Sequence, residues 1–278
     1  MNLENPLVSA IIPTHNRADL LRRALKSVIS QTYQPIEIIV VDDGSTDETE
    51  SIVGEFKNDS TLIYLKNEEA RGAPVARNQG IQAASGDFIA GLDDDDEWNP
   101  ERIERLVQAY DDSFSCITSN VKMQYENHTA TWHKQEIITL DDLLYSNQVG
   151  NQVLVKRDRL LEIGGFDEQL AAAQDYDLWI RLCEAFGPVK NIRRPLQIVH
   201  TEHEKGRISN PSSQLKGYLA FYKKHKHRMN RAQRKYQLYE IRRAQGKQQK
   251  LFKIFGWVPP AWYAKEAKRW VIDKFLAT

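Results

Sequence analysis

The chain predicts an α/β protein with a mostly parallel, Rossmann-like sheet flanked by helices. Two observations carry that expectation. Short apolar runs rich in β-branched residues alternate with segments of helical spacing through the first third of the sequence, the order that builds strand–helix–strand units. Polar clusters follow the first, second and fourth runs, the positions at which open parallel sheets bind their ligands.

Taken in order, Leu7–Ile12 is a short apolar run ended by Pro13, and Asp19–Ser30 sets Leu20, Leu21, Ala24, Leu25 and Val28 at helical spacing. Ile36–Val41 is a β-branched strand ending at Asp42-Asp43-Gly44-Ser45, and Thr46–Phe56 reads as a helix with Thr46 as its N-cap. A third strand over Thr61–Leu65, a helix over Ala73–Ala84 and a fourth strand over Phe88–Leu92 complete the alternation. Trp98-Asn99-Pro100 starts the next helix, with proline in its first turn. Strands are expected near Cys116–Met123 and Gln152–Lys156, a short helix over Arg157–Gly164, and a helix over Tyr176–Phe186 stopped by Gly187-Pro188.

The fourth strand runs into four consecutive aspartates, Asp93–Asp96. Adjacent carboxylates repel one another, and a divalent cation relieves that repulsion; oxygen-rich sites of this kind suit Mg²⁺ or Mn²⁺. In extended backbone Asp93 and Asp95 point to one side and Asp94 to the other. A solvated acidic loop is the competing reading of this run.

Composition sets the class. Hydrophobic residues make up 41% and charged residues 27% of 278 residues, as in an ordinary soluble domain with a sizeable core. No run of about 18 apolar residues occurs, so no spanning helix is expected. The Met1–Pro6 start has no basic, apolar signal-peptide pattern. Cys116 and Cys183 lack metal-ligand spacing, which points to a reducing cytoplasm. The zero net charge hides a division: residues 214–278 hold 17 Lys and Arg against 3 Asp and Glu, while residues 1–213 hold 21 against 35. The expected organisation is therefore an acidic α/β domain over 1–212 and a basic helical C-terminal extension over 213–278.

The succession Val8–Asn16, Ile38–Ser45, Asp93–Asp96 and Gly164–Asp167 with Gln174–Trp179 resembles glycosyltransferase family 2. The likeness spans about residues 7–205 and implies the GT-A fold, an inverting transferase and a nucleotide-diphosphate sugar donor, with UDP expected as the nucleotide. Carried over by position, Asp43 resembles the residue that contacts the base and Asp42 one that serves the ribose. Chemically, a carboxylate at a strand end accepts a uracil imide N–H; a tight turn whose aspartate caps the next helix fits the same residues equally. Pro13, Thr14 and Asn16 match the family's first nucleotide loop. Arg77, in Ala76-Arg77-Asn78-Gln79-Gly80, offers donors to a diphosphate or to the acidic run.

From the family's Asp-x-Asp pattern, Asp93 and Asp94 lie beside the sugar and ribose, and Asp95 ligates the metal; Asp96 has no assigned role. Asp175 is the implied catalytic base, taking the proton from the acceptor hydroxyl, with an ordinary helix cap as the alternative. Gln174 stands where the family commonly has Glu. His203 matches the family's histidine and is implied at the metal or diphosphate, but His200 and Thr201 replace the aromatic and arginine around it, so His200 remains a second candidate. Arg207 and Ser209 fall in what would be a closing loop.

In the tail, Tyr263, Ala267, Trp270 and Val271 share one helical face, with Lys265, Lys268 and Arg269 opposite. Such helices lie readily on anionic bilayers, which suits a cytoplasmic enzyme peripheral to the membrane and acting on a saccharide or lipid-linked saccharide in surface polysaccharide or lipopolysaccharide synthesis. Covering the acidic domain and dimerisation are the rival uses. No nucleic-acid motif accompanies the charge. Two other functions compete with glycosyl transfer. A nucleotidyltransferase expects a glycine-rich basic loop after the first strand, and Pro13–Arg17 lacks glycine. A catalytically idle sugar-nucleotide or membrane scaffold has no need of both Asp95 and Asp175.

Overall fold

The structure is a computed structural model that describes residues 5–57, 61–201, 211–246 and 254–275. The chain forms two compact units. One comprises Met1–Leu140, Gln148–Gln169 and Gln174–Arg207; the other comprises Asp141–Asn147, Leu170–Ala173 and Ile208–Thr278. The charge boundary near residue 213 therefore marks where the long tail begins, while two short earlier segments group with that tail.

The first unit is built on a sheet whose strands run β3 (Thr61–Lys66), β2 (Ile36–Asp42), β1 (Val8–Thr14), β4 (Phe88–Gly91), β9 (Leu154–Lys156), β6 (Ile117–Gln124), β10 (Val189–His200) and β5 (Glu97–Trp98). Two further strands lie off this path: β7 (Thr129–Trp132) pairs with β6, and β8 (Ile137–Ile138) with β10. The pairs β3–β2, β2–β1 and β1–β4 are parallel, whereas β9 is antiparallel to both β4 and β6. All of β2 and nearly all of β1 is buried, because a strand covered on both faces reads as a continuous apolar run rather than an alternating one.

Helix α1 (Ala18–Ile29) buries Leu21, Ala24, Leu25 and Val28 against this sheet core. Helices α2 (Thr49–Glu55), α3 (Ala73–Ala83) and α4 (Arg102–Gln108) follow the next strands. At the amino end of β2, Glu37 is buried and accepts hydrogen bonds from Ser85 Oγ (2.6 Å), the Ser85 and Gly86 N–H groups (2.6 and 3.0 Å) and Ser9 Oγ. Burial alone would raise the carboxyl's pKa; the bonds from Ser85, Ser9 and Gly86 outweigh it and hold the group below its ordinary value. This network ties β1, β2 and the lead into β4 at the end of the sheet opposite the polar clusters.

Several local expectations are revised. Thr46 does not cap α2: its N–H donates to Asn16 Oδ1, and Asp47 Oδ1 accepts from the Thr49 N–H instead. The following helix starts at Arg102, after Pro100, because Trp98 is drawn into strand pairing with Gln197. Strand β10 has no clear apolar signal; Arg193-Arg194-Pro195 interrupts it, and its register with β6 shifts there. Helices α5 (Leu140–Tyr145), α6 (Arg157–Glu162) and α7 (Gln174–Phe186) complete the middle of the chain.

The second unit contains α8 (Pro211–His225), α9 (Arg231–Ala244) and α10 (Tyr263–Phe275). Asn230 and Gln233 form a reciprocal capping box at the start of α9. Tyr236, Tyr239, Ile254 and Val258 form its core, with Trp257, Trp262, Tyr263 and Trp270 packed around them. Glu266 is fully buried and accepts from the Tyr236 and Tyr239 hydroxyls at 3.2 and 3.1 Å. The aromatic face of α10 expected to meet a bilayer thus has Tyr263 and Trp270 turned into this unit's own core. Among the described residues, no helix is long and apolar enough to cross a membrane.

Candidate active site

The aspartate run leaves β4 as a turn rather than as extended chain. The Asp96 N–H donates to the Asp93 carbonyl at 3.0 Å, which folds Asp96 back beside Asp93. Oxygen atoms of Asp93, Asp95 and Asp96 consequently lie within 4.8 Å of one another. Asp94 faces the other way, toward Thr14 and Arg17. It is buried, accepts from Thr14 Oγ1 at 2.8 Å and pairs with Arg17 at 3.1 Å. Burial pushes its carboxyl up to about 6 against the opposing pull of Arg17.

Asp96, unassigned from sequence, is the most deeply set of the trio. Its side chain accepts from the amides of Asn151 (3.0 Å), Gln152 (2.9 Å) and Gln197 (3.4 Å) and from the His200 N–H (3.3 Å). Burial, then the charges of Asp93 and Asp95, push its pKa well up. Three converging carboxylates are a donor set matched to a hard divalent cation. Asp95 also pairs with Arg17 at 3.0 Å, and Arg23 donates to its carbonyl at 2.5 Å. Sequence reasoning missed Arg17, Asn151, Gln152 and Gln197. Arg17 was open to inference as a cation one residue beyond a site loop, whereas the three amides carry no pattern. His200 Nε2 lies 2.7 Å from Glu97, and its backbone N–H reaches Asp96; His203, Arg207 and Ser209 fall outside the described residues.

At the carboxyl ends of β1 and β2, Asp43 accepts from the Arg71 and Gly72 N–H groups at 2.9 and 2.7 Å and from Asn67 Nδ2 at 2.9 Å. It therefore anchors the loop between β3 and α3. Gly44 permits this: its φ is +77°, and a Cβ there would stand 2.8 Å from the Glu69 carbonyl carbon. Asp42, expected at the ribose, is fully buried, accepting from the Ser45 N–H (2.7 Å) and the Tyr64 hydroxyl (2.5 Å). One of its oxygens closes the turn and the other holds Tyr64 of β3. The Thr14 hydroxyl is likewise spent on Asp94. Pro13 sits in β1 opposite Val41, and Asn16, at φ 53°, accepts from the Thr46 N–H at 2.8 Å. Of this group Asn16 is exposed, whereas Asp43 is buried with both oxygens bonded to the β3–α3 loop.

Asp175 lies in the first turn of α7. Burial pushes its carboxyl up to about 6; the Arg77 guanidinium opposes that rise and the Asp93 charge adds to it. Arg77 is the link between the two acidic groups. Its Nη2 donates to Asp93 at 2.8 Å, it lies over the Phe166 ring at 5.4 Å, and its buried Nη1 has no hydrogen-bond partner. The neighbouring Asn78 clamps the Gly164–Asp167 loop, donating to the Phe166 carbonyl and accepting from its N–H at 2.9 and 2.8 Å. The acidic trio and Asp175 thus share one neighbourhood, with a guanidinium between them.

The profile of glycosyl transferase family 2 matches residues 9–169 of this chain. The chain belongs to that family. A second profile, of glycosyltransferase-like family 2, matches residues 110–253. WcaA of Escherichia coli K12, whose name places it in colanic acid biosynthesis, is 34% identical over 249 residues, 85% of this chain and 88% of WcaA. The E. coli UDP-Glc:alpha-D-GlcNAc-diphosphoundecaprenol beta-1,3-glucosyltransferase WfgD is 32% identical over 188 residues, 65% of this chain and 71% of that one. Staphylococcus aureus TarS 1–349, solved with UDP-GlcNAc, superposes with a TM-score of 0.66 at 18% identity, covering 95% of this chain and 80% of TarS. The fold of this glycosyltransferase is therefore GT-A, as the sequence implied.

Proposed function

We propose that this glycosyltransferase is inverting and metal-dependent, moving a sugar from a UDP-sugar to a hydroxyl of a saccharide or lipid-linked saccharide acceptor in surface polysaccharide or lipopolysaccharide synthesis. The observation that carries the reading is that Arg77, paired with Asp93 of the acidic trio, also lies within electrostatic reach of Asp175. Asp93, Asp95 and Asp96 would hold Mg²⁺ or Mn²⁺. Such an ion acts as a Lewis acid that neutralises charge on a departing diphosphate.

This chain's own groups supply the rest. With its pKa near 6, Asp175 is ionised at neutral pH yet basic enough to accept the proton of an acceptor hydroxyl. Attack from the side opposite the leaving group inverts the anomeric centre. Arg77 Nη1, buried and without a partner, is a donor suited to a diphosphate oxygen. Asp43 and the Arg71–Gly72 backbone form the edge on which a base would rest. UDP is favoured by the chemistry of Asp43 and by the donor in WfgD's name.

Peripheral association with the inner membrane face is part of the same reading. Its support is a basic stripe on α9, where Arg231, Arg234, Lys235 and Arg242 are exposed, rather than the aromatic face of α10. The direct test is nucleoside diphosphate release from a panel of UDP-, GDP- and dTDP-sugars with and without Mn²⁺. Pyrophosphate release instead would mark nucleotidyl transfer. Co-flotation with anionic but not neutral vesicles tests the membrane component.

A further inference from the structure

Trp132, at the end of β7, leaves 38% of its surface exposed, although large apolar side chains are rarely so open among the described residues. Its place is informative. Trp132 pairs in register with Val121 of β6. Lys134, itself buried, sets its Nζ 4.9 Å from the ring centroid and fixes that nitrogen by donating to the Val149 carbonyl (2.5 Å) and Thr118 Oγ1 (3.1 Å). One face of the indole is thereby backed, which leaves the other face and the ring edge open.

The ring also adjoins the catalytic rim. A Cβ at Gly150 would stand 3.4 Å from Trp132 Cζ3, and Gly150 holds φ +93°. The Gly150 carbonyl accepts from Trp179 Nε1 at 2.8 Å, and Trp179 lies one helical turn, about 6 Å, along α7 from Asp175. The next residue, Asn151, donates to Asp93 and Asp96 at 2.6 and 3.0 Å. Strand order places β6 and β7 across β4 from β1 and β2, so Trp132 stands on the opposite side of the acidic trio from Asp43.

We propose that Trp132 is a stacking platform for a pyranose ring of the acceptor, next to the sugar whose hydroxyl meets Asp175. A flat indole matches the apolar C–H face of a pyranose while leaving the hydroxyls at its rim in water. Lys134 backs the ring on its covered face. This assignment rests on the glycosyl-transfer reading of the site, and the test separates the two.

Octyl glycosides carrying D-glucosyl, D-galactosyl or N-acetyl-D-glucosaminyl groups serve as acceptor probes, in two measurements on the full chain. In the first, UDP release is followed against glycoside concentration. Trp132→Ala is expected to raise the acceptor KM about tenfold, equivalent to about 1.4 kcal/mol, with the donor KM moved by less than about twofold. Trp132→Phe, which keeps a flat face, should recover most of the loss. In the second, the indole N–H signal of Trp132, assigned by its disappearance in Trp132→Phe, is watched by NMR during glycoside titration. Turnover with an unchanged acceptor KM in Trp132→Ala overturns the platform and leaves the transferase reading intact. A shifted Trp132 signal in a chain that transfers no sugar upholds the platform and sinks the catalytic reading. A still signal with no transfer overturns both.

Discussion

Replacing Asp175 with asparagine separates a catalytic carboxylate from a helix cap by the sign of a stability change. The carboxyl is pushed from an ordinary 3.8 up to about 6, roughly two pKa units, so holding it ionised costs the folded protein about 3 kcal/mol at neutral pH. The folded-state pKa is the higher one, so protons bind the folded state preferentially. Wild-type stability therefore rises as pH falls from about 6 toward 3.8, and the cost is present in full only above that window. Asp175→Asn removes the charge, so in chelator-treated protein at pH 7.5 it should gain stability, with 3 kcal/mol as the upper bound. In urea that is a midpoint shift of about 1 M, shrinking toward zero by about pH 4. Over the same comparison kcat should fall by about 10² to 10⁴ while donor affinity persists. A cap would behave oppositely, because losing one costs about 1 kcal/mol. An Asp175→Asn protein that is less stable at pH 7.5, or that turns over normally, refutes the reasoning.

Three other outcomes follow from the same geometry. Chelation should abolish transfer, and Mn²⁺ at about 100 times its Kd should stabilise the chelated protein by about 2.7 kcal/mol; thermal melts should lose that gain in Asp95→Asn. Arg77→Ala removes the guanidinium that opposes the upward shift of Asp175, so the acid limb of the kcat profile should move to higher pH and the donor KM rise about tenfold or more. Gly44→Ala places a Cβ at φ +77° against the Glu69 backbone; urea unfolding should show a loss of about 1–3 kcal/mol, accompanied by weaker nucleotide binding in titration calorimetry.

The parallel half of the sheet was legible because buried strands and amphipathic helices announce themselves in apolar spacing. β1, α1, β2, β3, α3 and β4 all fall within two residues of their expected limits. β10 was not, since its apolar residues are split by Arg193-Arg194-Pro195 and only pairing with β6 makes it a strand. At the site, alternation placed Asp94 opposite Asp93 and Asp95. It could not show that a turn returns Asp96 to the same side, because a turn closed by backbone hydrogen bonding leaves no mark in four identical residues. Asp42 and Asp43 look alike in sequence, and only the structure shows that Asp42 accepts from the Tyr64 hydroxyl while Asp43 accepts from the Arg71 and Gly72 N–H groups. Asn151, Gln152 and Gln197 were invisible because neutral amides occur everywhere on protein surfaces.

Those three amides have a consequence of their own. A deep carboxylate can be steadied by a cation or by dipoles, and the two choices leave different balances. An arginine bonded directly to Asp96 would cancel its charge and compete with any incoming ion. Amide N–H groups orient the oxygens without adding a compensating positive charge. The floor beneath Asp96 behaves as an insulated socket: it fixes direction without discharging what it holds, and keeps its attraction for whatever positive species arrives from outside.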